Sequence, residues 1–204
     1  MKHETRIDTR TVRTKEKILA TLKEMILELD YDEITVSELM KRAELHRKTF
    51  YLHHDSLENA FMQIEDDIVK QLEQLCIESF DEKKAFDFDF LPNGFAELLS
   101  RNEALHKRLF CTDSYYFIFN HIKQRSCDFF FTFYLEHFDI PADELDTKIT
   151  FAANGMLAVW RKWYIAGLNP AEEFSKYNFL RYFDNSDSTA FIPVSALRGT
   201  SPSK

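Results

Sequence analysis

Polar side chains suited to binding a ligand are concentrated in one short stretch of the sequence. Arg47 and Lys48 are adjacent cations, and Thr49 adds a hydroxyl group. Tyr51 and His53 follow at alternate positions. Arginine and lysine can donate to O6 and N7 of guanine, and hydroxyl and imidazole groups can bind phosphate oxygens. This combination of residue types indicates contact with a nucleic acid.

Two helices are predicted to position these side chains. Thr35 and Glu38 form a T-x-x-E capping box, which predicts that the first helix begins at Val36. A three-residue link, 44–46, then leads to a short second helix that combines the two cations with Phe50, an apolar residue suited to burial. The apolar positions of the first helix recur on one face: Val36, Leu39, Met40 and Ala43. The spacing fits a helix-turn-helix that places its second helix in the DNA major groove, and it equally fits a surface helical hairpin in an all-α protein.

A longer segment, residues 13–61, resembles the DNA-binding domain of the tetracycline-repressor (TetR/AcrR) family of bacterial regulators. The similarity is carried by T-V-x-x-L from Thr35, by R-K-T-F-Y from Arg47 and by the following Y-x-H, in the family's order and spacing. The resemblance implies an all-α, TetR-like protein with an N-terminal three-helix helix-turn-helix domain and a C-terminal helical bundle domain. It also implies a sequence-specific transcriptional regulator, by default a repressor, that binds a pseudo-palindromic operator as a homodimer.

The family pattern suggests a role for each polar residue of the motif. The cations at the start of the second helix are expected to read bases, and Thr49 is expected to touch a thymine methyl or a phosphate. The other polar groups match positions that hold the DNA backbone, which orients the protein without reading sequence. The expected DNA contacts are Thr35, Ser37, His46, Arg47, Lys48, Thr49, Tyr51 and His53.

Four positions depart from the family pattern. Asp30 and Glu44 stand where the family often has glycine, and we expect a positive φ at Asp30, which aspartate adopts at some cost. Glu44 also brings a carboxylate near the DNA. His54 and Leu57 replace an aromatic residue and a phosphate-binding lysine. These departures leave an alternative function open, a TetR-like protein that regulates transcription through a protein partner with weak or no DNA binding of its own.

The charge distribution distinguishes the first quarter of the chain from the rest. The 204 residues carry a net charge of −8. Residues 1–54 hold 11 Lys and Arg against 10 Asp and Glu, whereas residues 55–204 hold 15 against 24. An acidic remainder would repel DNA, so that only the N-terminal face approaches it, or would simply aid solubility. Charge alone does not separate these two interpretations.

Composition and motifs argue against several other classes of protein. Four Gly and five Pro are too few for an all-β fold. No run of about 18 apolar residues predicts a membrane span, and the charged N-terminus lacks the apolar centre of a signal peptide. Three widely spaced cysteines indicate reduced thiols in a cytoplasmic protein. No enzyme motif is recognisable, and adjacent His53 and His54 would point about 100° apart on a helix, so we expect no catalysis, metal or cofactor.

Apolar periodicity predicts the remaining helices. An arm, 1–12, precedes a helix over 13–29, and a second capping box at Asp55 and Glu58 opens a long connecting helix. Residues 81–92 form the predicted loop, and helices are expected over 95–110, 114–138, 144–167 and 169–183. We therefore predict an arm and DNA-binding domain over 1–54, a dimerisation and ligand-binding domain over 55–183, and a flexible tail over 184–204. The apolar residues of the connecting helix are Leu57, Phe61, Ile64, Ile68, Leu72 and Leu75.

A further resemblance concerns assembly and ligand binding. The G-x4-W-x2-W-x3-G run from Gly155 to Gly167 is similar to the penultimate helix of many TetR-family proteins, whose last two helices pair with those of a second subunit. This implies a homodimer through the last two helices. The family usually holds a small-molecule effector beside the connecting helix. Ordinary core packing is the other interpretation of the residues that would line this site. The candidate lining is Phe61, Ile64, Tyr115, Phe119, Phe130 and Trp160.

Overall fold

The chain is helical throughout the part that the structure describes. A computed structural model describes residues 9–83, 98–137, 139, 141–170, 172 and 173, and these contain no β-strand. The helices are α1 (Thr9–Glu28), α2 (Val36–Arg42), α3 (Arg47–Phe50), α4 (Leu57–Lys83), α5 (Glu103–Cys111), α6 (Tyr116–His137) and α7 (Ala142–Ile165). Short 3-10 turns at Tyr31–Glu33 and Asp113–Tyr115 precede α2 and α6. The predicted all-α class is confirmed. Among the described helices, none is long and apolar enough to cross a membrane.

The chain divides into two compact units. Unit 1 comprises residues 1–67 and 104–118, and unit 2 comprises 68–103 and 119–204. Unit 1 therefore holds the helix-turn-helix together with the beginning of α4 and most of α5. The functional division at residue 54, drawn from the motif alone, stays a prediction.

The core of unit 1 is formed by the apolar faces of its helices. Phe50 of α3 has no exposed surface, and Phe61 of α4 is 2% exposed. The Tyr31 ring lies 5.0 Å from that of Phe61 and 4.7 Å from that of Phe117, centroid to centroid. The inner faces of the two motif helices are buried through Leu39 and Met40 of α2 and Phe50 of α3. Helices α1 and α2 contribute Ile18, Leu22, Met25, Ile26, Leu39 and Met40.

A polar network joins the end of α1 to α5 and the turn that follows. Arg108 donates from Nε to the Ile26 carbonyl at 3.1 Å and from Nη2 to Asp30 Oδ1 at 2.7 Å. The Tyr115 hydroxyl donates to the Leu29 carbonyl at 2.8 Å. Asp30 has a φ of −79°, so the positive φ expected there is wrong. Its carboxylate is held by Arg108 instead, and the chain turns without a left-handed residue at this position.

Unit 2 contains an aromatic cluster between α6 and α7. Tyr134 and Leu145 are buried, and Phe130, Phe131 and Ile149 pack against them. Farther along α7, the buried residues are Trp160, Trp163 and Tyr164. Burial raises the pKa of the Tyr134 hydroxyl well above its usual value, as expected for a phenol held within an apolar cluster.

Several predicted boundaries are wrong in detail. Thr9–Val12 of the predicted arm already belong to α1, and Asp81–Lys83 of the predicted loop still belong to α4. Helix α4 begins at Leu57 because Ser56 Oγ accepts a hydrogen bond from the Asn59 N–H at 3.1 Å, so the cap is Ser56 and not Asp55. The first eight residues, residues 84–97, residues 174–183 of the predicted last helix and the predicted tail lie outside the described residues.

Candidate nucleic-acid interface

Helix α2 begins at Val36, as predicted, because Thr35 caps it. Thr35 has an extended backbone, and its Oγ1 accepts a hydrogen bond from the Glu38 N–H at 3.2 Å. The Glu38 carboxylate accepts a hydrogen bond from Arg42 Nε at 3.1 Å. Thr35 and Ser37 are both exposed, so their hydroxyl groups are accessible to a partner.

The link between α2 and α3 is a Schellman motif whose left-handed residue is Glu44. The Glu44 N–H donates to the Lys41 carbonyl at 3.1 Å, and the Leu45 N–H donates to the Met40 carbonyl at 2.9 Å. Glu44 has a φ of 53°, which glycine adopts far more readily than glutamate. The motif therefore explains the family's preference for glycine here. The Glu44 carboxylate lies 3.6 Å from Lys17 Nζ, and its side chain is 85% exposed.

His46 is the N-cap of α3. Its Nδ1 accepts a hydrogen bond from the Lys48 N–H at 3.2 Å, and its carbonyl accepts one from the Thr49 N–H at 2.7 Å. Because Nδ1 is an acceptor, the neutral ring carries its proton on Nε2. The residue is exposed at the start of the second helix, as predicted, and it offers Nε2–H as a donor.

The two cations of α3 are exposed to solvent. Arg47 Nη2 lies 3.4 Å from the Tyr51 hydroxyl oxygen, and its guanidinium carbon lies 6.0 Å from the centre of the Tyr51 ring. Tyr51 is itself 51% exposed, and Lys48 is exposed beside them. Because these side chains are not buried, they can reach a partner, as the DNA-reading hypothesis requires.

The opposite edge of α3 is buried. Phe50 packs its ring 5.2 Å from the His54 ring, and His54 is only 2% exposed. His54 therefore fills the place of the family's aromatic residue by packing as one, and its Nδ1 lies 3.0 Å from Gln63 Nε2. Burial, with the nearby charges of Lys15 and His53, lowers the pKa of the His54 imidazole below 6.5.

All eight predicted DNA contacts are exposed or partly exposed residues of unit 1. Thr49 and His53 are partly exposed, and the other six are exposed. Leu57, where the family has lysine, is partly exposed at the first position of α4. The accessibility of the eight residues is compatible with a shared partner, and their contact with DNA stays a prediction.

The candidate ligand-binding residues are divided equally between the two units. Phe61, Ile64 and Tyr115 belong to unit 1, and the Phe61 and Tyr115 rings lie 6.2 Å apart. The other three belong to unit 2. Five of the six are buried and one is partly buried, so core packing accounts for their placement, and a shared pocket stays a prediction. The unit 2 members are Phe119, Phe130 and Trp160.

Two notable residues of unit 1 are absent from the sequence-based predictions. Leu52 is 79% exposed immediately after α3, and Arg108 holds Asp30 and the end of α1. The spacing of Leu52 four residues after Lys48 was a usable signal for a shared helix face. Arg108 gave no such signal, because its partner is 78 residues away in sequence. Within the described residues, no cluster of His, Cys, Asp or Glu could hold a metal ion.

Comparison with known proteins identifies the fold. No protein-family model and no curated protein matches the chain. Among solved structures, the dihydroxyacetone kinase operon activator DhaS has a TM-score of 0.54 at 18% identity and covers 81% of this chain and 92% of its own. A transcriptional regulator of the TetR/AcrR family from Aquifex aeolicus VF5 has a TM-score of 0.50 at 24% identity and covers 75% of this chain and 85% of its own. This chain has a TetR-like fold. These two proteins are named as an operon activator and as a transcriptional regulator, and the TetR-like architecture predicted from the motif is confirmed.

Proposed function

We propose that this TetR-like protein regulates transcription by placing α3 in the major groove of DNA. The observation that carries the proposal is the division of α3 into two edges, one with exposed Arg47 and Lys48 and one with fully buried Phe50. Such a helix can pack on its own domain while its cations reach guanine O6 and N7. Each good bidentate contact is worth about 1–3 kcal/mol of discrimination between bases.

The surrounding polar groups are proposed to hold the DNA backbone. Thr35 and Ser37 lie at the start of α2, and His46 offers an Nε2–H donor at the start of α3. Tyr51 and His53 follow α3 and remain accessible. Contacts of this kind fix the register of the helix in the groove and contribute affinity to every sequence alike.

The DNA-binding proposal is tested by selecting bound duplexes from a random pool and titrating the enriched sequence. Arg47→Ala should relax the base preference, whereas Tyr51→Phe should weaken binding to operator and scrambled duplexes by a similar factor. Lys107→Ala removes an exposed cation outside the motif and serves as the matched control. Equal losses on operator and scrambled DNA for Arg47→Ala would contradict base reading by that residue.

We also propose that two copies pair through α7 and the segment that follows it. Phe151 and Ile165 are 67% and 59% exposed, and Gly155 and Ala158 lie between them on the same helical face. A Cβ atom added at Gly155 would meet no atom within 4 Å, so a second helix has room to approach there. A two-fold pair would place two α3 helices for half-sites about 34–36 Å, or a multiple of that distance, apart.

The oligomeric state tests the pairing proposal. Phe151→Arg should convert the dimer to a monomer in sedimentation experiments, because it replaces an exposed apolar side chain of the proposed interface with a charged one. Met62→Arg changes a residue that is 52% exposed on α4 and should leave the dimer intact. A Phe151→Arg variant that remains dimeric would rule out this face of α7 as the interface.

A small-molecule effector is proposed from the family resemblance. An effector would change operator affinity only by binding one conformation better than another. The two tryptophans, Trp160 and Trp163, are both in α7, so their fluorescence reports on ligands that enter unit 2. A ligand that changes this fluorescence and also shifts the operator titration would support the proposal, and one that changes neither would not.

A protein partner is the alternative route of regulation. The exposed carboxylate of Glu44 and the absence of a lysine at Leu57 both favour weakened DNA binding. Failure to enrich any sequence at low salt would support this alternative. Repression is the family default, but the similarity to a protein named as an operon activator makes activation the competing outcome. Transcription from a reporter with and without the protein distinguishes the two.

A further inference from the structure

Leu52 is the most exposed large apolar residue in the described part of the chain, at 79%. It lies between Tyr51 and His53, directly after α3. Single exposed apolar residues are common on protein surfaces, so its exposure alone carries no functional meaning. Its position relative to the cations of α3 is the informative feature.

The backbone turns on past α3 in a helical sense, and Leu52 follows Lys48 by four residues on this turn. Tyr51 has φ −72° and ψ −5°, and the Leu52 N–H donates to the Thr49 carbonyl at 3.3 Å. Residues four apart on such a turn share a face. The structure shows this spacing twice in the same turn: Arg47 contacts Tyr51, and the rings of Phe50 and His54 pack together, with centroids 5.2 Å apart.

The chemistry of this outer edge points to a DNA base and not to an apolar partner. Arg47 and Lys48 are both exposed there, and two cations next to a leucine complement a polyanion. In the major groove, thymine presents an O4 acceptor and a C5 methyl group. A leucine side chain has no hydrogen-bonding group, so the methyl group is the part of the base edge that it can recognise.

We propose that Leu52 is a specificity-determining residue that contacts the methyl group of a thymine beside the base pair read by Lys48. The proposal rests on the proposed role of α3 in DNA binding and extends it to one base. Loss of contact with one methyl group should weaken binding about fourfold per half-site, which corresponds to the free energy of burying one methyl-sized group.

The test is a cycle that removes each partner separately. Each thymine of the selected operator half-site is replaced by deoxyuridine, which lacks only the methyl group. At one position the wild-type protein should lose about fourfold in affinity. Leu52→Ala should lose a similar factor on the thymine operator, and should bind thymine and deoxyuridine duplexes at that position equally. Leu52→Val, which keeps an apolar branched side chain, should retain part of the preference.

Three results would overturn the proposal. Leu52→Ala could leave operator affinity unchanged. It could lose the same factor in affinity on thymine and deoxyuridine duplexes at every position, so that the wild-type preference for thymine persists. It could also bind DNA normally while losing a protein partner. Met62→Ala, which truncates another exposed apolar side chain, is the matched control and should show no coupling to any methyl group. Failure of the random pool to yield any enriched sequence would instead overturn the proposed function itself, so the two failures are distinguishable.

Discussion

Replacing Glu44 with glycine is expected to stabilise the protein even though the change deletes an ion pair. Glu44 is the left-handed residue of the Schellman motif that ends α2, with a φ of 53°. Among the described residues, the other positive φ belongs to Gly167, which ends α7 in the same motif with a φ of 70°. The chain therefore uses glycine for this conformation once and glutamate once.

The magnitude follows from three contributions. A side chain in the left-handed region costs about 1–2 kcal/mol, and this strain is relieved by glycine. Glycine gives back about 0.4–1 kcal/mol because it adds freedom to the unfolded chain. The ion pair of Glu44 with Lys17 joins side chains that are 85% and 49% exposed at 3.6 Å, so its loss costs only a few tenths of a kcal/mol. The free energy of unfolding should rise by roughly 0.5 kcal/mol in Glu44→Gly and should decrease slightly in Glu44→Ala.

The assay compares these two variants, because both lack the carboxylate and only one lacks the Cβ atom. Chemical denaturation should find Glu44→Gly more stable than Glu44→Ala by about 0.5–1 kcal/mol, with equal m-values. Gly167→Ala is the reverse change, and its added Cβ would meet no atom within 4 Å, so any loss measures backbone strain, reduced by the smaller freedom of the unfolded chain, and not a steric clash. The reasoning is refuted if Glu44→Ala is as stable as Glu44→Gly. In operator titrations both variants should bind more tightly by the same factor, since both remove one negative charge.

Three further predictions concern other parts of unit 1. Burial lowers the pKa of His54 in the folded chain below 6.5, so the unfolded chain binds the proton more readily. The free energy of unfolding should therefore decrease as the pH falls below about 6.5. Denaturation at pH 7.5 and at pH 5.5 should show a smaller decrease for His54→Phe than for the wild-type protein. Arg108→Met should lower the free energy of unfolding by about 1–2 kcal/mol, because it removes the hydrogen bonds to Asp30 and to the end of α1. The loss is no larger because the Asp30 carboxylate is about half exposed. Arg108→Lys should restore only part of the lost stability. Ser56→Ala should destabilise the chain by about 1 kcal/mol while Asp55→Ala should not, and the opposite order would restore Asp55 as the cap of α4.

The sequence by itself determined the features that depend on neighbours within one or two helical turns. The capping of α2 by Thr35 and its start at Val36 follow from residues three apart, and the structure confirms both. The buried face of α1 and the placement of Arg47 and Lys48 opposite Phe50 follow from helical periodicity. These features are local, so hydrogen-bond geometry and spacing suffice to predict them.

The tertiary structure decided what depends on residues far apart in the chain. Asp30 avoids the left-handed conformation because Arg108, 78 positions later, holds its carboxylate, and no local pattern could reveal that partner. Glu44 does adopt the left-handed conformation, and the two closing hydrogen bonds of the Schellman motif form around it. The burial of His54 and the exposure of Leu52, two residues apart, were likewise settled by which side of the turn faces Phe50 and the core. Local propensity ranks the conformations open to each residue, but burial and distant partners select among them.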